Sequence, residues 1–451
     1  MNTLTTPTPG VRVRFAPSPT GELHLGNARI AIINALFSRA HGGEFILRLD
    51  DTDAERSTDA FAHGIRDDLA WLGLTWSREE RQSDREPLYR EALAQLEAAG
   101  RLYPCFETPE ELEAHRTWRR ARGQPPVYNR ETRRLTDEIQ ARAESGTHAP
   151  HWRFALEPRD IVWDDLVRGR CHYNGAHLSD PVLVRADGLF LYTLPSVVDD
   201  LEMGITHVIR GEDHVVNTAV QLQLIEALGG VAPAWAHLPL VLSADGGPLS
   251  KREGSLSLSG LRAEGIQPEA ITALMAALGG SGAPEPGLSL DELARDFRLE
   301  AFGRAPPRLD PEDLPRLSAR VIHTLPWETA RARGVTLTEQ AWPVVRPNLE
   351  RLDEARAWER VLDGPLDPVT EDGDREFLDQ AVSCLPASPW DRTTWKTWTD
   401  ALKALSGRKG RPLFLPLRRA LTGTDHGPDM NDLLPLLDPG RVQARLKGNT
   451  A

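Results

Sequence analysis

Four groups of residues in this chain have types and spacings that could do chemistry. His24 and Gly26 form an H-x-G at the start of a helical pattern, where unpaired backbone N–H groups and the positive end of the helix dipole favour phosphate. A histidine there can donate to phosphoryl oxygens, and a residue without Cβ lets a nucleotide come close to the backbone. Asp50, Asp51 and Asp53 cluster at the end of an apolar run. Ser250, Lys251 and Arg252 follow Asp245-Gly246-Gly247, placing cations on a glycine-rich turn that can close over a departing phosphate. Arg14 and Arg210 each end a strand pattern and offer guanidinium forks for carboxylates. Each group also has a plainer use: a surface turn, a helix cap, a charged turn, strand-end salt bridges.

Recognisable elements must position these groups. Val11 to Phe15 alternates as a strand, and Pro17, Pro19 and Gly21 force a turn. From Leu25 the apolar residues Ile30, Ile32, Ile33, Leu36, Phe37 and Ala40 form a helical stripe that stops at His41-Gly42-Gly43. Glu44 to Leu49 reads as a second strand, and a helix is expected from about Ser57 to Leu72-Gly73. Strand and helix in alternation imply a parallel nucleotide-binding sheet, with ligands at the carboxyl ends of its strands. Leu88 to Leu102 reads as a helix, and the sheet is expected to resume around Gly188 to Thr193. Further strands are expected at Ile205 to Arg210 and His237 to Leu242, with a helix from Val215 to Leu228 between them. From Pro268 onward the pattern is helical, with segments at Glu269 to Leu278 and Leu290 to Phe297, and strand signals are sparse beyond Trp327.

At 451 residues the chain calls for two to four domains, and its 40% hydrophobic and 26% charged content is ordinary for a soluble protein. No apolar run reaches the ~20 residues of a membrane span, and no secretion signal precedes Gly10, so a cytoplasmic protein is expected. Cys105, Cys171 and Cys384 lack the spacing of a disulfide framework or a thiolate zinc site. The net charge of −13 runs against nucleic-acid binding overall. Two local exceptions are Arg116 to Arg134, with seven arginines around Trp118 and Tyr128, and Lys403 to Arg419.

The stretch A-P-S-P-T-G-E-L-H-L-G-N-A-R, through Arg29, strongly resembles the ATP-binding signature of class I aminoacyl-tRNA synthetases in its glutamyl and glutaminyl form. I-L-R-L-D-D-T-D resembles the family's I-L-R-I-E-D-T-D. The run from Tyr192 to Gln221 resembles its second-half signature, and P-L-S-K-R its second ATP signature, K-L-S-K-R. G-R-K-G-R-P-L-F-L-P-L-R-R-A-L-T-G resembles the anticodon-binding region of bacterial glutamyl-tRNA synthetases. Four positions depart: Asn27, Asp50 in place of glutamate, Ser196 where some members have asparagine, and Pro248 in place of a lysine.

The resemblance implies an α/β Rossmann-type catalytic domain split by an acceptor-arm-binding insertion, then helical stem-contact and anticodon-binding domains. Expected bounds are 1–82 and 190–243 for the two catalytic halves, 83–189 for the insertion, 244–325 for the stem-contact domain and 326–451 for the anticodon domain. It implies activation of L-glutamate by ATP with Mg2+, then transfer to the terminal adenosine of tRNA(Glu), by a monomer that activates glutamate only with tRNA bound. His24 and Lys251 would be catalytic, with Pro17, Gly26, Asn27, Ser250, Lys251 and Arg252 on ATP. Arg14, Ala16, Ser18, Asp50, Tyr192, Ser196 and Arg210 would hold glutamate, Asp50 through its ammonium, directly or by a water. Asp51, Asp53, Arg116, Arg119, Arg408, Lys409 and Arg418 would meet tRNA. Some members carry zinc through C-x-C and a second Cys/His pair; here Cys105-Phe106-Glu107 and Tyr128 lack partner thiols, so no structural zinc is expected. Alternatives are an enzyme that also charges tRNA(Gln), a shorter relative that glutamylates a tRNA base, glutaminyl-tRNA synthetase, and a non-catalytic RNA-binding paralogue. The helical C-terminal region argues against the second and third, and retention of His24, Gly26, Lys251 and Arg210 against the last.

Overall fold

The computed structural model describes residues 10–124, 126–128, 130, 141, 145, 149–247 and 256–451. The chain divides into two compact units, 1–262 with 271–310, and 263–270 with 311–451.

In the first unit, β1 (Arg12–Phe15), α1 (Leu25–Ala40), β2 (Glu44–Leu49), α2 (Asp59–Trp71) and β3 (Arg78–Arg81) follow the expected alternation, with all strands parallel. α1 buries Leu25, Ile32, Ile33 and Leu36 completely. It ends where Gly42 takes φ +58°, a conformation that costs glycine little. α2 is capped by Thr58, whose side chain accepts from Phe61 N, one residue beyond the expected Ser57. There follow α3 (Glu86–Ala98), β4 (Leu102–Cys105), α4 (Pro109–Ala121), β5 (His151–Phe154), β6 (Asp160–Asp165), β7 (Gly169–Asn174) and β8 (Val182–Val184). The half-sheet is completed by α5 (Thr193–Glu202), β9 (His207–Gly211), α6 (Val215–Ala227) and β10 (Ala234–Leu238).

β10 pairs in parallel with β9 on one side and β6 on the other, and β7 closes the edge antiparallel to β6. β1 and β9 are stitched together through Thr206, whose N–H donates to Arg12 O (2.9 Å) and whose Oγ1 accepts from Arg12 N (2.8 Å). The two half-sheets therefore meet at β1 and β9, the place where strand order reverses.

The structure departs from the sequence reading in two places between residues 83 and 193. The β6–β7 hairpin belongs to the sheet of β9 and β10, and its alternating burial places Ile161, Trp163 and Asp165 inward. A separate antiparallel sheet, β4-β5-β8, lies in the same stretch with α3 and α4. The stretch Gly188 to Thr193 is not a strand of that sheet: Arg185 N donates to Leu189 O around Gly188 (φ +87°), and α5 begins at Thr193. Pro195 is compatible with that helix because first-turn N–H groups have no intrahelical partner.

The second unit is helical among its described residues, as expected beyond Trp327. Buried Arg445 crosslinks it, donating to Val361 O (2.6 Å) and Leu421 O (2.9 Å), carbonyls in the last turns of two helices that have no partner within their own helix. Trp398 Nε1 donates to Ala381 O at 2.9 Å, and the ring is fully buried.

Candidate functional site

The carboxyl ends of β1, β2, β9 and β10 open into a cleft of about 390 Å3. Arg14, Ala16, Pro17, Ser18, His24, Gly26, Asn27, Asp50, Tyr192 and Arg210 all line it, so residues from two half-sheets and two turns meet as expected. A larger cavity of about 750 Å3, between α3, α5 and the Gly229 to Pro233 turn, gathers no guanidinium and carries no comparable chemistry. Ser250, Lys251, Arg252 and Pro248 lie outside the described residues. Just beyond them, Leu25 N donates to Leu256 O (3.1 Å) and Leu258 N to Leu23 O (2.9 Å), tying the chain that follows Lys251 to the residues flanking His24.

His24 is the N-cap of α1. Its Nδ1 accepts from Gly26 N (3.1 Å) and Asn27 N (3.4 Å), while Asn27 Oδ1 accepts from His24 N (3.3 Å). A ring nitrogen that accepts must be unprotonated, so the neutral ring carries its proton on Nε2. Burial lowers the His24 pKa, which favours that neutral form. The cap thus leaves an Nε2–H donor for a phosphoryl oxygen. Gly26 has a different reason from the one expected: a Cβ there would come within 2.9 Å of His24 Cε1, so glycine admits the folded-back ring. Replacing His24 by asparagine keeps a good N-cap but removes the Nε2 donor. We expect His24→Asn to retain thermal stability and to lower adenylate formation about tenfold or more, as for loss of one transition-state contact; stopped-flow or pyrophosphate-exchange rates near wild type would reject the role.

At the other end of the cleft, Arg14 and Arg210 are both buried. Arg14 donates through Nε to Asp200 Oδ1 (3.1 Å), and its two terminal nitrogens have no partner among the described residues. Arg210 is more heavily committed. Nε donates to His237 Nε2 (3.2 Å), Nη1 to Tyr192 Oη (2.9 Å), and Nη2 to Thr218 Oγ1 and Gln221 Oε1 (both 2.7 Å). Of the five guanidinium hydrogens, one on Nη1 remains. Arg14 is therefore the open fork, and Arg210 with Tyr192 supplies single hydrogen bonds. Ser196 does not reach the cleft: fully buried, it accepts from Gln221 Nε2 (2.8 Å) and donates to Thr193 O (3.1 Å).

Arg48, which is not among the residues expected from the sequence, is the hub of a buried ion network. Its Nε and Nη2 grip Asp50 (2.7 and 3.2 Å), and Nη1 donates to Asp200 Oδ1 (2.7 Å). Asp199 lies 3.8 Å away and accepts from Gln82, Arg85 and Tyr89. Burial raises the Asp50 carboxyl to about 6, with Arg48 offsetting part of the effect. At Asp200 burial opposes ionisation, but Arg14 and Arg48 outweigh it and hold the carboxyl below its usual range. Asp50 thus lines the cleft as half of an ion pair. The available signal was L-R-L-D itself, since alternate residues of a strand share a face.

Other expected residues are engaged elsewhere. Asp51 is buried, accepting from Arg81 Nε (2.9 Å), Ser83 N (2.8 Å) and Ser83 Oγ (2.9 Å), and so fixes the β2 and β3 ends. Asp53 Oδ1 accepts from Arg56 N at 3.3 Å. Arg116 pairs with Glu113 on exposed α4, which also carries Arg119. In the second unit Arg408 pairs with Asp374 and stacks on Phe377 at 4.4 Å, and Lys409 is exposed. Arg418 Nη2 donates to Pro428 O (2.9 Å), while its Nη1 is buried without a hydrogen-bond partner among the described residues.

The inserted sheet holds a grouping that counting thiols along the chain did not find. Cys105 and His151 face each other as register partners of β4 and β5. Cys105 Sγ, a Glu107 carboxylate oxygen and a His151 ring nitrogen lie within 4.8 Å of one another. Among the described residues Glu107 Oε2 and His151 Nε2 are buried without hydrogen-bond partners, and Tyr128 Oη sits 2.6 Å from Glu107 Oε1 and 3.1 Å from Cys105 Sγ. Burial lowers the His151 pKa, favouring the neutral form that ligates metal, and pushes the Cys105 thiol up to about 12. One sulfur, one nitrogen and one oxygen donor are of the kinds that bind a zinc-like cation, one fewer than a closed structural zinc site uses.

Residues 10–314 match the family model for tRNA synthetases class I (E and Q), catalytic domain, and residues 339–449 match the anticodon binding domain. The chain is 58% identical to glutamate--tRNA ligase 1 of Rhodospirillum rubrum, over 98% of this chain and 99% of that protein. It is 53% identical to the glutamate--tRNA ligase of Azospirillum brasilense, over 98% of this chain and all of that protein. Among solved structures it resembles a glutamate tRNA ligase from Elizabethkingia meningosepticum in complex with its amino acid. The TM-score is 0.83 at 29% identity, covering 97% of this chain and 98% of that one. No described helix is long and apolar enough to cross a membrane.

Proposed function

The chain belongs to the glutamate--tRNA ligases, class I aminoacyl-tRNA synthetases, and from that premise we propose how its cleft divides the work. ATP, carrying Mg2+, lies with its phosphates at the α1 N-terminus, where His24 Nε2–H donates to them. The glutamate γ-carboxylate, remote from the reacting end, is taken deep in the cleft by the terminal nitrogens of Arg14 with Arg210 Nη1 and Tyr192. The ammonium lies beside Asp50, whose ion pair with Arg48 leaves a reduced negative charge there. An α-carboxylate oxygen then attacks the α-phosphorus, and the bond to the β-phosphate oxygen breaks to release pyrophosphate. The 2′-hydroxyl of the terminal tRNA adenosine next attacks the carbonyl carbon, loses its proton and releases AMP.

Neither step asks for a protein nucleophile. The chain contributes position and charge neutralisation, and Lys251, five residues before Leu256, is assigned to the departing pyrophosphate. Lys409, Arg116 and Arg119 are proposed to meet tRNA phosphates, with the protein acting as a monomer. The observation that carries the reading is the meeting of an N-capping histidine and two buried arginines in one cleft. Charging assays with purified tRNA(Glu) and tRNA(Gln), each with glutamate and glutamine, test it. We expect glutamate on tRNA(Glu); glutamate on both tRNAs would identify the broader specificity, and charging with glutamine would sink the assignment.

Cys105, Glu107 and His151 are proposed to hold a structural cation that cross-links β4 to β5 and takes no part in either reaction. Elemental analysis of protein purified without chelator should give about one zinc per chain, reduced at least tenfold in His151→Ala. Protein purified without chelator that carries no stoichiometric metal would refute this.

A further inference from the structure

We propose that Asp165 and His237 are positioning residues for glutamate recognition, holding Arg210 in the one orientation that presents its remaining Nη1 hydrogen to the substrate. The proposal deepens the assignment of Arg210 to the substrate carboxylate and rests on it.

A guanidinium can only donate, so the 3.2 Å contact from Arg210 Nε requires His237 Nε2 to accept. The ring proton must then sit on Nδ1, which lies 2.5 Å from Asp165 Oδ2. Asp165 Oδ1 is itself fixed by three backbone donors: Val167 N (3.0 Å), Arg168 N (2.9 Å) and His237 N (3.2 Å). The carboxylate therefore sets the tautomer and rotation of His237, and His237 sets the Nε side of Arg210. His237 is completely buried, so no water can substitute for it.

The surrounding groups reinforce the arrangement. The Arg210 guanidinium carbon lies 4.9 Å from the Trp235 ring centroid, and Trp235 is stacked parallel to His237. Thr218 Oγ1 accepts from Arg210 Nη2 and lies 2.9 Å from His237 Nε2. Burial, and the Arg210 charge beyond it, lower the His237 pKa and favour the neutral ring that this scheme needs. The Asp165 carboxyl is held below its usual range: burial opposes its charge, but the hydrogen bond from His237, the backbone N–H groups of Arg168 and His237 and the electrostatic attraction of His237 together outweigh it. Asp165 ends β6, so the hairpin at the sheet edge reaches the substrate pocket through two side chains.

Three substitutions separate positioning from packing. In His237→Gln the side-chain amide reaches the Nε2 position and can still accept from Arg210. In His237→Asn the amide stays at the Nδ1 position, beside Asp165, and the acceptor for Arg210 is lost. In Asp165→Asn the oxygen keeps its three backbone donors, so the amide nitrogen faces His237 Nδ1; the ring proton moves to Nε2 and opposes the Arg210 N–H.

KM for glutamate and for ATP in tRNA charging, with thermal midpoints, gives the readout. His237→Asn and Asp165→Asn should raise the glutamate KM about tenfold, leave the ATP KM within about twofold, and differ from His237→Gln, which stays near wild type. Equal effects of the two His237 substitutions, or parallel rises in both KM values, would overturn the proposal. An Arg210→Lys control keeps its failure distinct: if that change leaves the glutamate KM unaltered, the assignment of Arg210 fails first.

Discussion

Arg14→Gln should raise the KM for glutamate by about 10²- to 10³-fold while the KM for ATP changes little. The effect is large because Arg14 is the open guanidinium of the cleft: Asp200 takes only Nε, and both terminal nitrogens stay available. A carboxylate bound there receives two charge-assisted hydrogen bonds in a site shielded from solvent. Losing contacts of that kind typically costs about 2–5 kcal/mol, which is the basis for the stated range at roughly 1.4 kcal/mol per decade. Glutamine keeps most of the volume and can still donate from a single, uncharged nitrogen, so the loss reports charge and geometry. Asp200 retains Arg48 in the variant and is not left alone. A rise below about tenfold, measured by steady-state charging at saturating ATP and tRNA, would remove Arg14 from the substrate site.

Arg48→Met should destabilise the catalytic unit by about 3–5 kcal/mol, the usual consequence of removing one partner from a buried charge network. Arg48 is fully buried, neutralises Asp50 and Asp200 by direct hydrogen bonds, and lies near Asp199. Without it Asp50 loses both of its hydrogen bonds and Asp200 keeps only Arg14. Burial already lifts the Asp50 carboxyl to about 6, and removal of the cation that opposes burial would lift it further. The variant should therefore recover stability as pH falls and Asp50 takes up a proton, whereas neutral pH leaves a bare buried charge. Urea unfolding at pH 7 and pH 5 tests this; equal destabilisation at both would show that lost packing, not charge, is responsible.

The parts legible in the sequence were those written in neighbouring residues. β1, α1, β2, α2 and α6 follow from period, caps and glycine stops within a few residues of each other. The cleft residues from Arg14 to Asn27, with Asp50, Tyr192 and Arg210, were found because contiguous signatures carry them. The β6–β7 hairpin was missed because its alternation includes Asp165, a buried acid where an apolar residue is the usual signal. Ser196 was misplaced by one layer, since a helix position close to the cleft in sequence can still face Gln221.

By itself, then, the sequence determined a parallel nucleotide-binding sheet, a phosphate-binding helix start, the two arginines and a helical tail. The tertiary structure alone decided which polar groups face one another: Arg48 with Asp199 and Asp200, Asp165 with His237, Cys105 with His151 across two strands. Local preferences fix elements because the interactions behind them span only a few residues. Buried polar partners are fixed by the requirement that every desolvated charge and hydrogen be met, and that requirement is satisfied by whichever residues packing brings together, however far apart they lie along the chain.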